Sequence, residues 1–215
     1  VSEDWQLYKK DFPLERDGIK VAIDEWAYFA GGLRGVLATS LMLHEMFRNT
    51  DFIVMGAYTT GMSWLSFNAT DAVYSEQGLM FKLYRQRFGT VPVAISGNSP
   101  QPAPKWPAGG DQPSVTSGSP TYPLDMSAAL SADGRTLTIA AINATADSHS
   151  VDVSLAGFAP RSRGRLWRLT GPSLDSTNQV GKPPQVTVTE SAFDAGTGVV
   201  SVEPYSVELR AYTRR

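Results

Sequence analysis

The sequence predicts a parallel α/β unit followed by an antiparallel β-sandwich. Three patterns carry that prediction. Residues 18–89 alternate short β-branched apolar runs with helix-length amphipathic stretches, as parallel strands with helical crossovers do. A tract rich in Pro, Gly and Ser then runs from 96 to 122. From Leu124 onward the hydrophobic period drops to two, in short runs separated by turn residues. The change places a boundary near 92, so 1–92 and 93–215 read as two units, which 215 residues allow.

Residues 3–12 suit a short helix carrying Trp5, Tyr8 and Phe12, closed by Pro13. Ile19–Ile23 is a short apolar run with Gly18 before it and Gly31-Gly32 beyond it, which favours a buried strand over a helix. It ends in two carboxylates, Asp24 and Glu25, followed by Trp26, Tyr28 and Phe29. A parallel strand is buried on both faces and delivers polar groups at its C-terminal end. Glu25 beside Trp26 is therefore the candidate for chemistry. The competing reading makes Asp24 or Glu25 a cap of the next helix or the partner of a surface arginine.

Leu33–Phe47 has apolar residues at helical spacing with a broad buried face, ended by Arg48-Asn49-Thr50-Asp51. His44-Glu45 invites a zinc reading, but a His-Glu-x-x-His motif needs histidine at 48, where Arg48 stands. His44 reads instead as a residue at the rim of the packed helix face. Phe52–Tyr58 is a second buried strand, ending in Thr59-Thr60-Gly61, and Met62–Phe67 reads as a loop or an excursion over its mouth. Residues 74–88 form a second helix with Leu79, Met80, Leu83, Tyr84 and Phe88 on one stripe, stopped by Gly89. Two such βα units cannot close a sheet, so they are the tail of a larger barrel or part of an incomplete domain.

In the Pro-rich tract, Trp106 either stacks on sugar or pins the loop to a surface. Beyond it, Leu124–Leu130 and Arg135–Asn143 flank the turn at Ala132-Asp133-Gly134. Val151–Leu155, Gly164–Leu169, Val186–Thr189, Val199–Val202 and Ser206–Tyr212 read as the remaining strands. Trp167 and Tyr212 suit a core as well as a binding platform. Asn68-Ala-Thr70 and Asn143-Ala-Thr145 match the N-glycosylation acceptor pattern.

The composition excludes several function classes. A net charge of −2 leaves no electrostatic basis for nucleic acid or an anionic membrane. No apolar run is long enough to span a bilayer, and no signal peptide is evident. Val1-Ser2-Glu3-Asp4-Trp5 reads as mid-protein sequence. Zero cysteines exclude disulfides, thiolate metal sites and a cysteine nucleophile. Two histidines, far apart in sequence, argue against a histidine-based triad or metal centre. A secreted and a cytoplasmic location both stay open, with secretion slightly favoured.

The string Lys20-Val-Ala-Ile-Asp-Glu-Trp-Ala-Tyr28 is similar to the Asp-Glu-Trp segment of the α-L-arabinofuranosidases of glycoside hydrolase family 51. Leu43-His-Glu-Met-Phe-Arg48 and Thr50-Asp-Phe-Ile-Val-Met-Gly-Ala57 resemble that family's next helix and strand. Pro123–Leu130, Asp133-Gly134, Ile142-Asn143 and Pro204–Leu209 resemble its C-terminal β domain, in order over nearly the whole chain. The resemblance implies the last βα units of a (β/α)8 TIM barrel followed by an antiparallel, jelly-roll-like β-sandwich. It implies a retaining mechanism with Glu25 as nucleophile, no metal and no cofactor. Trp26, Phe29 and Thr60 fall at substrate-contacting positions. Ala27 and Phe29 stand where the family often has Asn and Trp, and Thr60 stands nearest its sugar-contacting Gln.

The family's acid/base glutamate follows an asparagine on the fourth barrel strand, and no Asn-Glu pair occurs here. The resemblance therefore implies that catalysis needs the N-terminal remainder of the barrel, in the same protein or a second chain. The implied substrate is an arabinose-containing polysaccharide or oligosaccharide, such as arabinoxylan or arabinan, and self-association into a homo-oligomer is compatible with it. The alternatives are an endo-β-1,4-glucanase or xylanase of the same fold, and a non-catalytic carbohydrate-binding module.

Overall fold

The computed structural model describes residues 18–28, 30–59, 64–99 and 119–215. The helix expected at 3–12 and Trp106 lie outside them. The described chain is a mixed α/β fold with two helices and mostly antiparallel sheets.

The first unit follows the strand–helix–strand–helix order. Strand β1 (Val21–Trp26) pairs in parallel with β2 (Ile53–Tyr58), Val21 opposite Ile53 and Trp26 opposite Tyr58. Helix α1 (Gly32–Arg48) connects them. Its Met46 and Met42 close with Val21, Ile23, Trp26, Phe52 and Ile53 into one apolar cluster. The opposite face of the pair is bare, with Val54 62% and Met55 48% exposed. A parallel pair is ordinarily covered on both faces.

The excursion after β2 is a small hairpin, β3 (Leu65–Phe67) against β4 (Ala72–Tyr74). Helix α2 (Glu76–Arg87) follows, its N-terminus capped by the Ser75 hydroxyl accepting from Gly78 N at 3.1 Å. Gly78 is required there, because a Cβ would lie 2.0 Å from the Trp64 carbonyl oxygen. The hairpin backbone thus rests directly on the first turn of α2.

Strand β5 (Val91–Val93) then enters a six-stranded antiparallel sheet and spans the boundary drawn at 92–93 from the sequence. The other members are β6 (Asp125–Leu130), β7 (Thr136–Asn143), β9 (Arg163–Thr170), β10 (Thr187–Asp194) and β12 (Ser206–Thr213). The spatial order is β10-β9-β12-β7-β6-β5. A separate pair, β8 (His149–Asp152) with β11 (Val199–Val202), lies over part of one face.

The large sheet is the middle layer. Ala140 and Ile142 of β7, Trp167 and Leu169 of β9, and Val207 and Leu209 of β12 pack against Leu33, Val36 and Leu37 of α1 and Met80 and Leu83 of α2. On the other face Leu137, Ile139 and Ala141 of β7 meet Met126, Tyr212, Val200 and Val202. Strand β7 alternates in sequence yet is buried along nearly its whole length, because helices cover one face and the β8–β11 pair the other. Each fully buried Leu or Ile on these strands contributes about 1.5–3 kcal/mol. The helices and the large sheet therefore share one core.

Candidate functional site

The carboxyl end of β1 carries the candidate residues. Val21, Ile23 and Trp26 all pack into the cluster beneath the strand, although simple alternation would put Trp26 on the opposite face from the other two. A register irregularity between Ile23 and Trp26 reverses the parity. Asp24 and Glu25 occupy the irregular step, and both are exposed. Glu25 thus directly precedes Trp26, which is anchored in the core, and lies two residues after Ile23, which packs against the same cluster.

Trp26 is only 7% exposed and forms the floor of the site. Its ring meets Tyr58 edge-on at 5.1 Å and Phe81 at 6.3 Å. Phe81 continues to Trp64 at 5.1 Å, so four aromatics from β1, β2, the hairpin lead-in and α2 form one stack. Trp26 therefore supports the strand end from below; the open stacking face expected from its sequence position is taken by protein. Its Nε1 and the Tyr58 hydroxyl are buried without a partner among the described residues. Thr59 N donates to the Trp26 carbonyl at 2.9 Å and ties the two strand ends together. Phe29 and Thr60, the other substrate-contact candidates, lie outside the described residues.

The chain beyond β1 is fixed by groups far away in sequence. Helix α1 has no capping side chain at Gly31, so its first N–H groups need other acceptors. Gly32 N donates to Glu76 Oε1 at 3.0 Å, Leu33 N to the Ser176 carbonyl at 3.0 Å and Arg34 N to the Leu174 carbonyl at 2.9 Å. The second oxygen of Glu76 accepts from Asn178 N at 2.9 Å. One buried carboxylate thus joins α1, α2 and the connection between β9 and β10. Gly32 has φ +72°, and a Cβ there would lie 2.8 Å from the Leu174 carbonyl oxygen, so this docking requires glycine.

A second polar cluster lies between α1 and β6. His44 is fully buried, not at the rim of its helix face. Its Nδ1 is 2.8 Å from Asp125 Oδ1 and its Nε2 2.7 Å from the Tyr84 hydroxyl. Arg48 grips the same carboxylate with both terminal nitrogens, at 2.8 and 3.1 Å, and reaches Glu45 at 2.9 Å. Burial lowers the His44 pKa against the opposing pull of Asp125. Burial also works against ionised Asp125, but His44 and Arg48 outweigh it and hold the carboxyl below its usual range. An ionised Asp125 only accepts, so His44 donates from Nδ1 and its Nε2 accepts a hydrogen bond from the Tyr84 hydroxyl. The cluster is a neutral-imidazole bridge between layers, and the helical i, i+4 spacing of His44 and Arg48 was its only sequence signal.

Among the described residues no group of three or more metal-binding side chains occurs, and no helix is long and apolar enough to cross a membrane. A cavity of about 730 Å³ opens between β6, β7 and residues 150–158; Glu25 is not among its lining residues. It is a gap between the antiparallel layers.

An exposed carboxylate at the end of a parallel strand, backed by an aromatic floor and tied to an antiparallel β layer, defines the class of fold to compare. No protein-family model matches the chain. No curated protein matches it either. Solved structures do. The thermostable family 51 α-L-arabinofuranosidase of Thermotoga petrophila RKU-1 superposes with a TM-score of 0.72 at 17% identity, over 98% of this chain and 49% of that one. The family 51 arabinofuranosidase of Xanthomonas axonopodis pv. citri gives 0.70 at 18% identity, over 93% of this chain and 42% of that one. A bifunctional glucanase-xylanase from a metagenome library gives 0.59 at 18% identity, over 92% and 32%. The chain has the fold of part of the family 51 arabinofuranosidases, and it spans less than half the length of each of these three proteins.

Proposed function

We propose that this chain is the C-terminal portion of a retaining glycoside hydrolase that releases terminal α-L-arabinofuranosyl groups from arabinoxylan- or arabinan-type polysaccharide. Glu25 is the nucleophile. The observation that carries the reading is its placement: an exposed carboxylate at the carboxyl end of a parallel strand, in a fold shared with family 51 arabinofuranosidases.

In the retaining mechanism a carboxylate attacks the anomeric carbon while a second carboxyl group, about 5 Å away, protonates the leaving oxygen. Water then releases the sugar from the glycosyl-enzyme ester. Displacement needs a nucleophile held still, and the packing of Ile23 and Trp26 on either side of the Asp24-Glu25 step restrains Glu25. The second carboxyl group belongs to the remainder of the barrel, which also covers the bare face at Val54 and Met55. The 215 residues alone are therefore inactive.

The test is hydrolysis of an aryl α-L-arabinofuranoside, with the isolated chain and with the chain joined to the rest of its barrel. Activity in the second only is expected; turnover by the isolated chain refutes the incomplete site. The likeness to a glucanase-xylanase supports a second reading, cleavage of β-1,4-glucan or xylan on the same carboxylate. A substrate panel with the completed enzyme separates the two.

A further inference from the structure

The tripeptide Asn-Ala-Thr occurs at Asn68–Thr70 and at Asn143–Thr145, and the two copies share one local geometry. In each, the asparagine Oδ1 accepts from the backbone N–H of the threonine, at 2.9 Å from Thr70 and 3.0 Å from Thr145. In each, the threonine hydroxyl lies beside that oxygen, at 3.2 and 2.8 Å. The Thr70 hydroxyl also lies 2.7 Å from Asp71 Oδ2. The difference is at the side-chain nitrogen. Asn143 is fully buried, and its Nδ2 donates to the carbonyls of Asp147 at 2.8 Å and Val202 at 3.2 Å. Asn68 lies on the turn between β3 and β4, where residues 68–71 are all exposed. No described residue accepts from its Nδ2.

We infer that Asn68 is an acceptor for an N-linked glycan and that Asn143, with the same tripeptide, is not. The donor class is an oligosaccharide joined through its anomeric carbon to a lipid diphosphate. The Asn68 nitrogen forms the new C–N bond as the bond from the anomeric carbon to the diphosphate oxygen breaks. The lipid diphosphate leaves with the bonding pair, and one amide proton passes to a base of the transferase. The backbone N–H groups of Thr70 and Asp71 hold the Asn68 amide by its oxygen, at 2.9 and 2.8 Å, and no described residue holds its nitrogen. The same reaction at Asn143 strips both hydrogen bonds from its nitrogen and lodges a saccharide beside the buried Val202 of β11.

The test directs the full chain, behind a cleavable signal peptide, through a eukaryotic secretory route. Glycans are removed enzymatically in heavy-oxygen water, and peptide mass spectrometry reads the label at both asparagines in all translocated protein. The expected result is label at Asn68 in most molecules and little at Asn143. Both Asn68→Gln and Thr70→Ala remove the glycan, and agreement between the two guards against a folding defect in either. An unlabelled Asn68, or equal label at the two sites, overturns the assignment.

Discussion

The imidazole of His44 joins α1 to the large sheet, with Nδ1 2.8 Å from Asp125 Oδ1 on β6 and Nε2 2.7 Å from the Tyr84 hydroxyl on α2. Protonating it removes the acceptor for Tyr84 and places a cation beside Arg48. Its pKa lies below the ordinary 6.5, so below that pH the unfolded chain binds a proton that the native state refuses. Stability then falls as pH falls. Denaturant midpoints should decline below pH 6.5, and His44→Gln should flatten that decline. Asp125 adds a second loss at lower pH. Its native pKa is depressed below 3.8, so its contribution is present above that value and disappears as pH falls through the native pKa.

Removing Asp125 strips two partners at once. Asp125→Ala leaves Arg48 and His44 facing a partly buried void, and the expected cost is about 3 kcal/mol, the low end for breaking a buried pair, because Arg48 keeps some solvent contact. Equilibrium urea unfolding measures it. A change within 0.5 kcal/mol, roughly what an ordinary surface substitution gives, contradicts the role assigned to the cluster.

Glu76 satisfies two N–H groups that have no other acceptor among the described residues. Glu76→Ala should leave Gly32 N and Asn178 N unpaired, at a cost of about 2–4 kcal/mol in all. The local signature is faster amide hydrogen exchange at Gly32 and Asn178, with the β7–β12 ladder unaffected. Unchanged exchange at both amides removes Glu76 from the docking of α1.

At Gly78 two effects compete. Alanine gains about 1 kcal/mol over glycine in a helix interior, but its Cβ would overlap the Trp64 carbonyl oxygen at 2.0 Å. Backbone overlap on that scale wins, so Gly78→Ala should destabilise the protein and shift its tryptophan fluorescence as Trp64 leaves Phe81. A stabilised Gly78→Ala variant, with fluorescence unchanged, contradicts the close approach.

The elements legible in the sequence are those whose burial is written in local periodicity. Strands β1 and β2 and both helices follow the predicted runs to within a few residues. Strand β5 was not legible, because Val91-Pro92-Val93 is three residues long with a proline at its centre and exists only by pairing with β6. The β3–β4 hairpin escaped for a similar reason: three-residue strands held by Ser66 Oγ accepting from Val180 N, 114 positions away. Strand β10 runs past Thr189 through Glu190, Ser191 and Ala192, poor strand formers kept in place by their β9 partners. In the candidate site, Glu25 could be read from an apolar run ending in carboxylates. The burial of Trp26 could not, because it depends on the register irregularity after Ile23. The His44 cluster was equally hidden, its key partner Asp125 lying 81 residues on.

The direct test of the central claim is covalent capture at Glu25. The chain, joined to the barrel remainder that the proposed function requires, is incubated with an activated arabinofuranoside whose glycosyl-enzyme ester hydrolyses slowly, and then digested for peptide mass spectrometry. The account predicts one arabinofuranosyl adduct, on the peptide carrying Glu25, absent in Glu25→Ala, whose turnover falls by several orders of magnitude while its stability is unchanged. An adduct on a different carboxylate, or near-normal turnover by Glu25→Ala, contradicts it.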